Sequence, residues 1–564
     1  MRVPLMGLAA ADAADPALSG PRRAGTRRRG RRQHFGKRYR PVHSAQLAVT
    51  ATIDSPPAPT GALHMAQPAP ARVTSVVHGL RLRSRAAWPV VLLTLFALTI
   101  AQHLFRLGRS YDLFIDESFY TQVGRSVANG HMPYATGIKF FLHPPGFFLV
   151  EAVWIHIFGV SGNLFQQVFS MRQLVSLFAA GTVVCVVLIV SRTVNRTAAL
   201  VAGVVLMMNA FFDRDTSIVI LEPATVFWAL AGWVVLAYLP AKGSRWRTPS
   251  IIAAGLLFGF AVLTKEFGVF ITIVPLVLML AFRCVLKPME AVAGIALSIL
   301  PYACWIPIVI ETGNWSTFWA QTLTGFRRAA GTDQISGFNR AGAPSFLGTI
   351  LRDLGYLWTA YAILGLGSLA ILYVVWKAKT PTIRMMGLFG MGALPLCVYC
   401  VLFGTNEEQF YNFLLSPALI CLVIVVWQEW HRAHWIPRAL LVFLATAVVI
   451  SDWANYALVH VHQDDGTYLV DQWMAAYAPP HTKVIVTNPV QREIFLRYTM
   501  VDDRPGLQLS KVPNAAYLVV FYRQVDEYYA FVDPQTVARQ VRGLIPVFSF
   551  TDNSNGRMLI YAIL

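Results

Sequence analysis

Long apolar runs separated by short polar connections occupy most of the chain. A helix needs about 20 mainly apolar residues to cross a hydrocarbon core of ~30 Å, and eleven runs approach that length. The pattern therefore predicts a polytopic all-α membrane protein with about eleven transmembrane helices. The runs lie at approximately 88–106, 170–191, 197–213, 221–239, 250–264, 267–283, 288–310, 353–376, 384–403, 411–428 and 436–453.

A further apolar run at 143–159 is ambiguous, because it is short, begins with His-Pro-Pro, and carries Glu151 and His156. Loop charge decides its assignment. If this run does not cross and the N-terminus is cytoplasmic, every short inward connection is basic, as the positive-inside rule requires. Counting the run as a span would place all these basic loops outside. We therefore predict an interfacial or re-entrant helix on the outer face.

The pattern changes after residue 453. Four short runs at 482–488, 514–524, 546–550 and 557–564 are typical of strands, and the segments 468–478, 490–498 and 535–544 are typical of helices. This alternation predicts a small extracytoplasmic α/β domain over 454–564. The domain could bind an acceptor or stabilise the outer face as a cap, and the sequence leaves both open.

Composition agrees with a membrane protein and locates the charge. Apolar residues make up 55% of the chain and charged residues only 13%, against about 25% in soluble domains. The net charge of +18 would suggest nucleic acid in a soluble protein. Two thirds of that excess lies in residues 1–87, which lack apolar periodicity. We predict a disordered basic cytoplasmic tail that sets orientation or contacts anionic lipid, with no nucleic-acid partner.

The first outer loop, 107–169, carries the first candidate chemistry. Asp116 and Glu117 follow the first span by about ten residues. A carboxylate just outside the membrane, backed by aromatic residues, can act as a general base towards an acceptor hydroxyl. A solvated loop charge is the alternative. Lys139 and His143 offer cationic or hydrogen-bonding groups near the same interface.

Further charged residues lie at bilayer level on the same predicted face, where such residues are functional candidates by default. Glu222 precedes Pro223 at the start of a span, where it can instead be a helix cap. Lys265 and Glu266 form a second candidate pair, or a self-satisfying ion pair in a tight turn. Acids that activate a hydroxyl and cations that hold a phosphate suit transfer from a phosphorylated lipid. The remaining cations are Arg172 and, in the long outer loop 311–352, Arg327 and Arg328.

These motifs, in this order, resemble a known family. DESFY, HPP, the LEP turn, GLLFGFAVLTKEFG and NEEQFYNFLLSPAL look like integral-membrane glycosyltransferases of the GT-C type, including protein O-mannosyltransferases, lipid A aminoarabinose transferases and RgtA-like enzymes. The resemblance covers about residues 88–430. It implies a GT-C transmembrane glycosyltransferase domain over 88–453.

The resemblance also implies roles for individual residues. Asp116 corresponds to the catalytic base or acceptor-positioning carboxylate, and Glu222 to the acid of the second outer turn. Glu117 is a further catalytic candidate. One departure concerns the aminoarabinose enzymes, which carry an Arg shortly after the acid pair where this chain has Ser118 and Phe119. The candidates for the donor phosphate are Lys139, His143, Arg172, Lys265, Arg327, Arg328 and Tyr411.

The implied reaction is a single displacement with inversion from a polyprenyl-phosphate sugar. Asp116 would take the proton of the acceptor hydroxyl, and the cations would stabilise the leaving phosphate. The acceptor would be an envelope glycan, a lipid or a protein. No cofactor is required, and metal dependence stays open. The enzyme would lie in the cell membrane, with its active site and C-terminus extracytoplasmic. A polytopic transporter or a flippase for lipid-linked sugars is the competing function.

Overall fold

The structure is a computed structural model of the chain. It describes residues 87–135, 138–329, 346–402, 408–487, 494, 499–501, 514–526 and 532–563. Three predictions fall largely or wholly outside the described residues: the basic tail, the helix over 490–498, and any contact of the Arg328 side chain.

The membrane part contains fifteen helices within the described residues. They are α1 Ala87–Leu104, α2 Ile115–Ala128, α3 Gly146–Phe158, α4 Leu164–Thr193, α5 Arg196–Met208, α6 Ala210–Thr216, α7 Glu222–Ala237, α8 Arg247–Thr264, α9 Ile273–Ala281, α10 Pro288–Glu311, α11 Trp315–Ala329, α12 Phe346–Lys377, α13 Pro381–Leu402, α14 Asn412–Trp430 and α15 Trp435–Val461. A short hairpin, β1 Tyr134–Ala135 and β2 Ile138–Lys139, joins α2 to α3.

Each of the eleven predicted apolar runs coincides with a helical segment. By length and composition, eight helices of the described residues could cross a membrane, or nine if the α5 and α6 pair, bent by 62°, is one span. The helix α7 and the segment Glu266–Ala281 are apolar but shorter, so the count of eleven stays a prediction. With thirteen residues, α3 spans only about 20 Å. That length suits an interfacial or re-entrant helix better than a crossing one.

Helix α4 lies at the centre of the bundle, with most of its length buried. It begins at a reciprocal cap, in which the Gln166 backbone N–H donates to Asn163 Oδ1 and the Asn163 N–H donates to Gln166 Oε1, both at 3.0 Å. Such a capping box satisfies two otherwise unpaired donors. The side chains of α2 and α3 pack on α4 in one apolar cluster around Val123, Phe148 and Met171. The first loop is therefore folded onto the bundle rather than extended into solvent.

The predicted long outer loop 311–352 is largely helical in its described part, which corrects the expectation of a loop. Helix α11 occupies Trp315–Ala329, and α12 begins at Phe346. Along α11, Trp315, Trp319, Leu323 and Phe326 are exposed on one face. The helix was missed because an amphipathic helix alternates apolar and polar positions, so no long apolar run marks it. Its exposed apolar stripe is typical of a helix lying in a membrane interface.

The C-terminal domain forms a mixed five-stranded sheet in the order β4-β3-β5-β7-β6. Strands β3 and β4 are parallel, as are β3 and β5, whereas β7 is antiparallel to both β5 and β6. All four predicted strands are present, and so are two of the three predicted helices. The elements are α16 Gly466–Tyr477, β3 Lys483–Val486, β4 Thr499–Val501, β5 Ala515–Phe521, α17 Tyr522–Asp526, α18 Pro534–Gln540, β6 Pro546–Thr551 and β7 Arg557–Ala562.

Helix α15 continues past residue 454 to Val461, and the domain boundary at 454 stays a prediction. The domain then contacts the first loop through the buried carboxylate of Asp112. Its Oδ2 accepts hydrogen bonds from Thr467 N at 2.8 Å, from Thr467 Oγ1 at 2.7 Å and from Asn555 Nδ2 at 2.7 Å. The Asp464 N–H also donates to the Arg109 carbonyl at 2.8 Å. The first loop and the C-terminal domain thus lie at the same end of the bundle.

Candidate active site

Asp116 lies in the first turn of α2, half-buried. The Tyr120 hydroxyl, one turn later, donates to Asp116 Oδ2 at 3.4 Å. Unpaired N–H groups and the helix dipole make the N-terminus of a helix electropositive. The partly accessible Asp116 side chain therefore lies at the electropositive end of α2.

Glu117 has quite different surroundings, although it is the next residue. Its side chain is 0% exposed and pairs with the equally buried Arg172 of α4. Arg172 Nε donates to Glu117 Oε1 at 2.7 Å and Nη2 donates to Oε2 at 2.6 Å. The backbone N–H groups of Val219 and Phe114 also donate to the Glu117 carboxylate. These contacts suit a positioning role for Glu117 better than a catalytic one.

The other donors of Arg172 are also occupied by the protein. Nη1 donates to the carbonyls of Leu107 at 3.0 Å and Tyr111 at 2.8 Å, and Nη2 donates to the carbonyl of Asp112 at 3.0 Å. The guanidinium therefore joins α4 to the segment that leads into α2. Arg172 was expected to bind the donor phosphate, whereas its contacts hold the first loop in place.

His143 lies close to Glu266 because α3, which follows the His-Pro-Pro segment, packs against the end of α8. Its Nδ1 lies 3.3 Å from Glu266 Oε1. Gly146, the first residue of α3, makes this approach possible, because a Cβ there would lie 2.6 Å from the Leu263 carbonyl oxygen. The His143 ring also contacts the Tyr120 ring edge to face, with centroids 6.1 Å apart. A hydrogen bond, a ring contact and an ion pair thus link Asp116 to Glu266 through Tyr120 and His143.

Lys265 and Glu222 are both buried and form an ion pair between Nζ and Oε1. Lys265 is the residue at which α8 ends, and Glu222 begins α7. The Lys265 ammonium also lies over the Phe410 ring, 5.1 Å from its centroid. The pair is therefore next to Glu266 in sequence and next to Phe410 in space. The structure brings together four predicted residues here: Glu222, Lys265, His143 and, through Tyr120, Asp116.

A second polar group lies beside Tyr411, which follows Phe410. The Tyr411 ring packs near Phe211 at 6.2 Å between centroids. Asn412 Nδ2 donates to Asp215 Oδ2 at 2.8 Å, and Arg214 Nε lies 3.4 Å from Asp215 Oδ1. Arg214 and Asp215 were not among the residues predicted from the sequence. Two acids flanking an arginine in the FFDRDT turn were the signal that could have identified them.

Asp213, the other acid of that turn, is buried. It accepts hydrogen bonds from the Tyr111 hydroxyl at 2.7 Å and from Gln102 Nε2 at 3.2 Å. Burial and the Asp213 carboxylate raise the pKa of Tyr111, so this hydroxyl stays protonated and remains a donor. Asp213 therefore ties α6 to the first loop, while Asp215 belongs to the group around Tyr411.

The remaining predicted cations lie on or near α11. Lys139 donates through Nζ to Asn314 Oδ1, just before α11 begins. Gln321 of α11 donates to the Lys139 carbonyl at 2.8 Å and accepts from the Phe141 N–H at 2.6 Å. Arg327 is exposed on α11. Both cations therefore lie on or beside α11, which we call the rim.

The described residues contain no group of three or more His, Cys, Asp or Glu side chains arranged to hold a metal ion. What they offer is a partly accessible carboxylate, a histidine beside Glu266, the Lys265 ammonium at the end of α8, and Arg214 in the group beside Tyr411. Together, such groups can accept a proton from a hydroxyl and stabilise a developing negative charge on an oxyanion.

Comparison with known structures shows the fold. Crystallised ArnT from Cupriavidus metallidurans, bound to undecaprenyl phosphate, superposes with a TM-score of 0.55 at 14% identity, over 85% of this chain and 98% of ArnT. The archaeal oligosaccharyltransferase AglB from Archaeoglobus fulgidus, in complex with an inhibitory peptide and a dolichol-phosphate, superposes with a TM-score of 0.52 at 11% identity, over 84% of this chain and 74% of AglB. Among curated proteins, none matches the chain by sequence.

The chain therefore has the fold of the GT-C class of membrane glycosyltransferases, as the motifs predicted. Within that class, residues 150–320 match the family model of dolichyl-phosphate-mannose-protein mannosyltransferases. The matched segment begins in α3 and ends in α11. It therefore includes Arg172, Glu222 and Lys265, and leaves Asp116 and Tyr411 outside.

Proposed function

We propose that this protein transfers a sugar from a polyprenyl-phosphate donor to an extracytoplasmic glycan, lipid or protein acceptor, with inversion at the anomeric carbon. Asp116 is the base that takes the proton of the acceptor hydroxyl. The observation that carries the proposal is the contrast within the acid pair. Glu117 is buried and fully engaged with Arg172, while the adjacent Asp116 remains partly accessible at the electropositive end of α2.

The leaving phosphate is placed near the end of α8. Lys265 is the principal cation there. Arg214 is a second cation, since it pairs with Asp215, which also binds Asn412. Such charges stabilise the phosphate as the bond to the anomeric carbon breaks. His143 and Tyr411 flank this region, and Lys139 and Arg327 lie at the rim. Glu117 and Arg172 act by positioning α2.

The relatives support the class of donor. The ArnT and AglB structures contain undecaprenyl phosphate and a dolichol-phosphate, and the matched family model describes transferases that use dolichyl-phosphate mannose. We extend this chemistry to the present chain as a polyprenyl-phosphate donor. The positive-inside pattern of the loops supports an active site on the outer face of the cell membrane.

A flippase for lipid-linked sugars is the second candidate. The 62° bend between α5 and α6 favours it, because broken helices are common in transporters. Transporters, however, place their polar groups near the bilayer midplane. Here the polar cluster lies where several helices end, beside the first loop, which favours transfer at one membrane face.

The test uses membranes that contain the native protein or a variant, supplied with polyprenyl-phosphate [14C]mannose and their own acceptors. Asp116→Asn is expected to lower incorporation of label by roughly 10²- to 10⁴-fold, the usual contribution of a general base. Glu311→Gln, an exposed carboxylate at the end of α10, is the matched control. Full transfer by Asp116→Asn would overturn the assigned base. Movement of the intact donor across the membrane of proteoliposomes, with no transfer of the sugar, would establish the flippase.

A further inference from the structure

A cavity of about 410 Å³ lies beside the end of α1, apart from the polar cluster around Lys265. Its wall combines charged and apolar side chains, including Arg106, Arg109, Asp465, Leu104, Phe169 and Tyr468. Leu104 ends α1, Phe169 belongs to α4, and Tyr468 belongs to α16 of the C-terminal domain. The volume falls in the range of ligand sites, about 300 to 1,000 Å³.

One side of the cavity is basic. The Arg109 side chain is exposed, and its charge lies near that of Asp465. Arg106 has a φ of 54°, a left-handed conformation that few residues other than glycine adopt. Its guanidinium Nη1 donates to the carbonyls of His460 and Val461 at the end of α15. The two arginines are suited to hold a phosphate.

Asp465 adds an acid to the same wall. Asp465 is only 5% exposed, yet its Oδ1 has no hydrogen-bond partner among the described residues. Its Oδ2 accepts one hydrogen bond, from Gln463 Nε2 at 3.1 Å. A buried carboxylate oxygen without a donor is costly. A cationic donor entering the cavity would remove that cost, whereas a purely anionic ligand would be repelled.

The cavity lies where α1 ends. Helix α1 is long and apolar enough to cross the membrane, and most of it is exposed. At its end, Leu104 is 40% exposed and the following Phe105 is 55% exposed. An acyl chain can pack along these side chains while the headgroup enters between the arginines and Asp465.

We propose that this cavity binds the headgroup of a membrane phospholipid that carries both a phosphate and a primary ammonium, the phosphatidylethanolamine class. Arg109 and Arg106 bind the phosphate, and Asp465 Oδ1 accepts a hydrogen bond from the ammonium. The inference does not depend on the transfer reaction proposed above.

The bound headgroup would stabilise the junction between the two domains. The Arg109 carbonyl accepts the Asp464 N–H, and the Leu107 carbonyl accepts from Arg172. The cavity thus borders the chain segment that fixes both the C-terminal domain and the Glu117 pair. Occupancy by lipid is expected to raise the temperature at which this junction opens.

The experiment reconstitutes the full chain in nanodiscs of phosphatidylethanolamine or phosphatidylglycerol diluted in phosphatidylcholine, and counts retained lipids by native mass spectrometry. The native protein is expected to retain one phosphatidylethanolamine in preference to the others. Arg109→Ala is expected to weaken retention about tenfold, the scale of one charge-assisted contact. Arg542→Ala, another exposed arginine of the outer part, is expected to have no effect.

Asp465→Asn gives the sharper readout, because the amide keeps the volume of the side chain and removes its charge. We expect it to lose the preference for phosphatidylethanolamine while still retaining phosphatidylglycerol, a change of selectivity that misfolding would not produce. Equal retention of both lipids by the native protein would overturn the proposal. Retention of soluble phosphoethanolamine, which has no acyl chains, would also overturn the proposal, since that result would identify a free small molecule as the ligand.

Discussion

Arg172 of α4 holds Glu117 of α2 through two parallel hydrogen bonds of 2.7 and 2.6 Å, and both side chains are fully buried. The two residues lie 55 positions apart in the chain. Because Asp116 precedes Glu117 directly, this pair determines where the proposed base is held. The first loop therefore has a fixed orientation that does not depend on a bound substrate.

Breaking this pair is expected to be strongly destabilising. Glu117→Gln leaves a buried guanidinium without its counter-charge, which typically costs about 3 to 5 kcal/mol. The matched control is Arg432→Ala, which breaks the exposed Arg432 to Glu429 pair and is expected to cost at most about 1 kcal/mol. Thermal unfolding in detergent compares the two variants. Equal melting temperatures would contradict the positioning role.

Lys265 is expected to act on the chemical step. Lys265→Met alone would leave Glu222 charged and unpaired in a buried site, so the informative variant is Lys265→Met combined with Glu222→Gln. We expect this double variant to fold and to lower kcat by roughly 10²- to 10³-fold, the scale seen when one oxyanion-stabilising group is removed. Steady-state rates with varied donor separate kcat from KM. A change in KM alone would assign Lys265 to ground-state binding only.

Gly146 is expected to tolerate no side chain. In Gly146→Ala, the new Cβ would meet the Leu263 carbonyl oxygen, so α3 must move away from α8 and His143 from Glu266. Gly355→Ala in α12 is the control, because a Cβ there meets open space and Ala favours a helix by about 1 kcal/mol. The first variant should lose transfer activity and stability, and the second should retain both. Unchanged activity in Gly146→Ala would show that transfer does not require the close packing of α3 against α8.

The contact between the C-terminal domain and the first loop is expected to weaken as pH rises. Burial, with the carboxylates of Asp112 and Asp464, raises the pKa of Asp552 to about 9. An acid whose pKa is raised in the folded state stabilises it fully below its ordinary pKa, and that stability is lost as pH rises towards the folded value. The Gly466 N–H donates to Asp552 Oδ2 at 3.1 Å and directly precedes Thr467, which binds Asp112 of the first loop. Its hydrogen exchange therefore reports opening of this segment.

Exchange at Gly466, corrected for the intrinsic rate, should accelerate between pH 5 and about 9 in the native protein. Asp552→Asn should remove most of this dependence, because the amide does not titrate. Asp533→Asn, at an exposed helix cap, should leave it unchanged. The same pH dependence in all three proteins would assign it to another group.

The helices of the membrane part could be predicted from the sequence because burial in lipid or in the bundle requires long apolar runs. Their ends were less predictable. The predicted run 170–191 corresponds to α4, which begins at Leu164 because Asn163 and Gln166 cap it with polar side chains. The break between α5 and α6 was not predicted either. It falls at Asn209, whose side chain caps α6 within an otherwise apolar run.

The sequence predicted which residues belong to the candidate site, but it did not predict which of them pair with each other. Periodicity and sidedness placed Asp116, His143, Glu222 and Lys265 at one face, but no local pattern shows that Arg172 neutralises a residue of the preceding loop. Long-range pairing depends on how helices pack. For the same reason the parallel and antiparallel strand order of the C-terminal sheet could not be derived from strands that were individually recognisable.

Helix α11 connects the proposed site to the depth of the bilayer. Its exposed Trp319 and Phe326 are suited to lie in a membrane interface, while Gln321 on the same helix contacts Lys139 and Phe141. In this arrangement the lipid surface fixes the height of the rim along the membrane normal. The packing of the bundle fixes the height of the end of α8. A thicker or thinner membrane would shift these two reference points relative to each other. Acyl-chain length would then tune how well a donor headgroup fits between them.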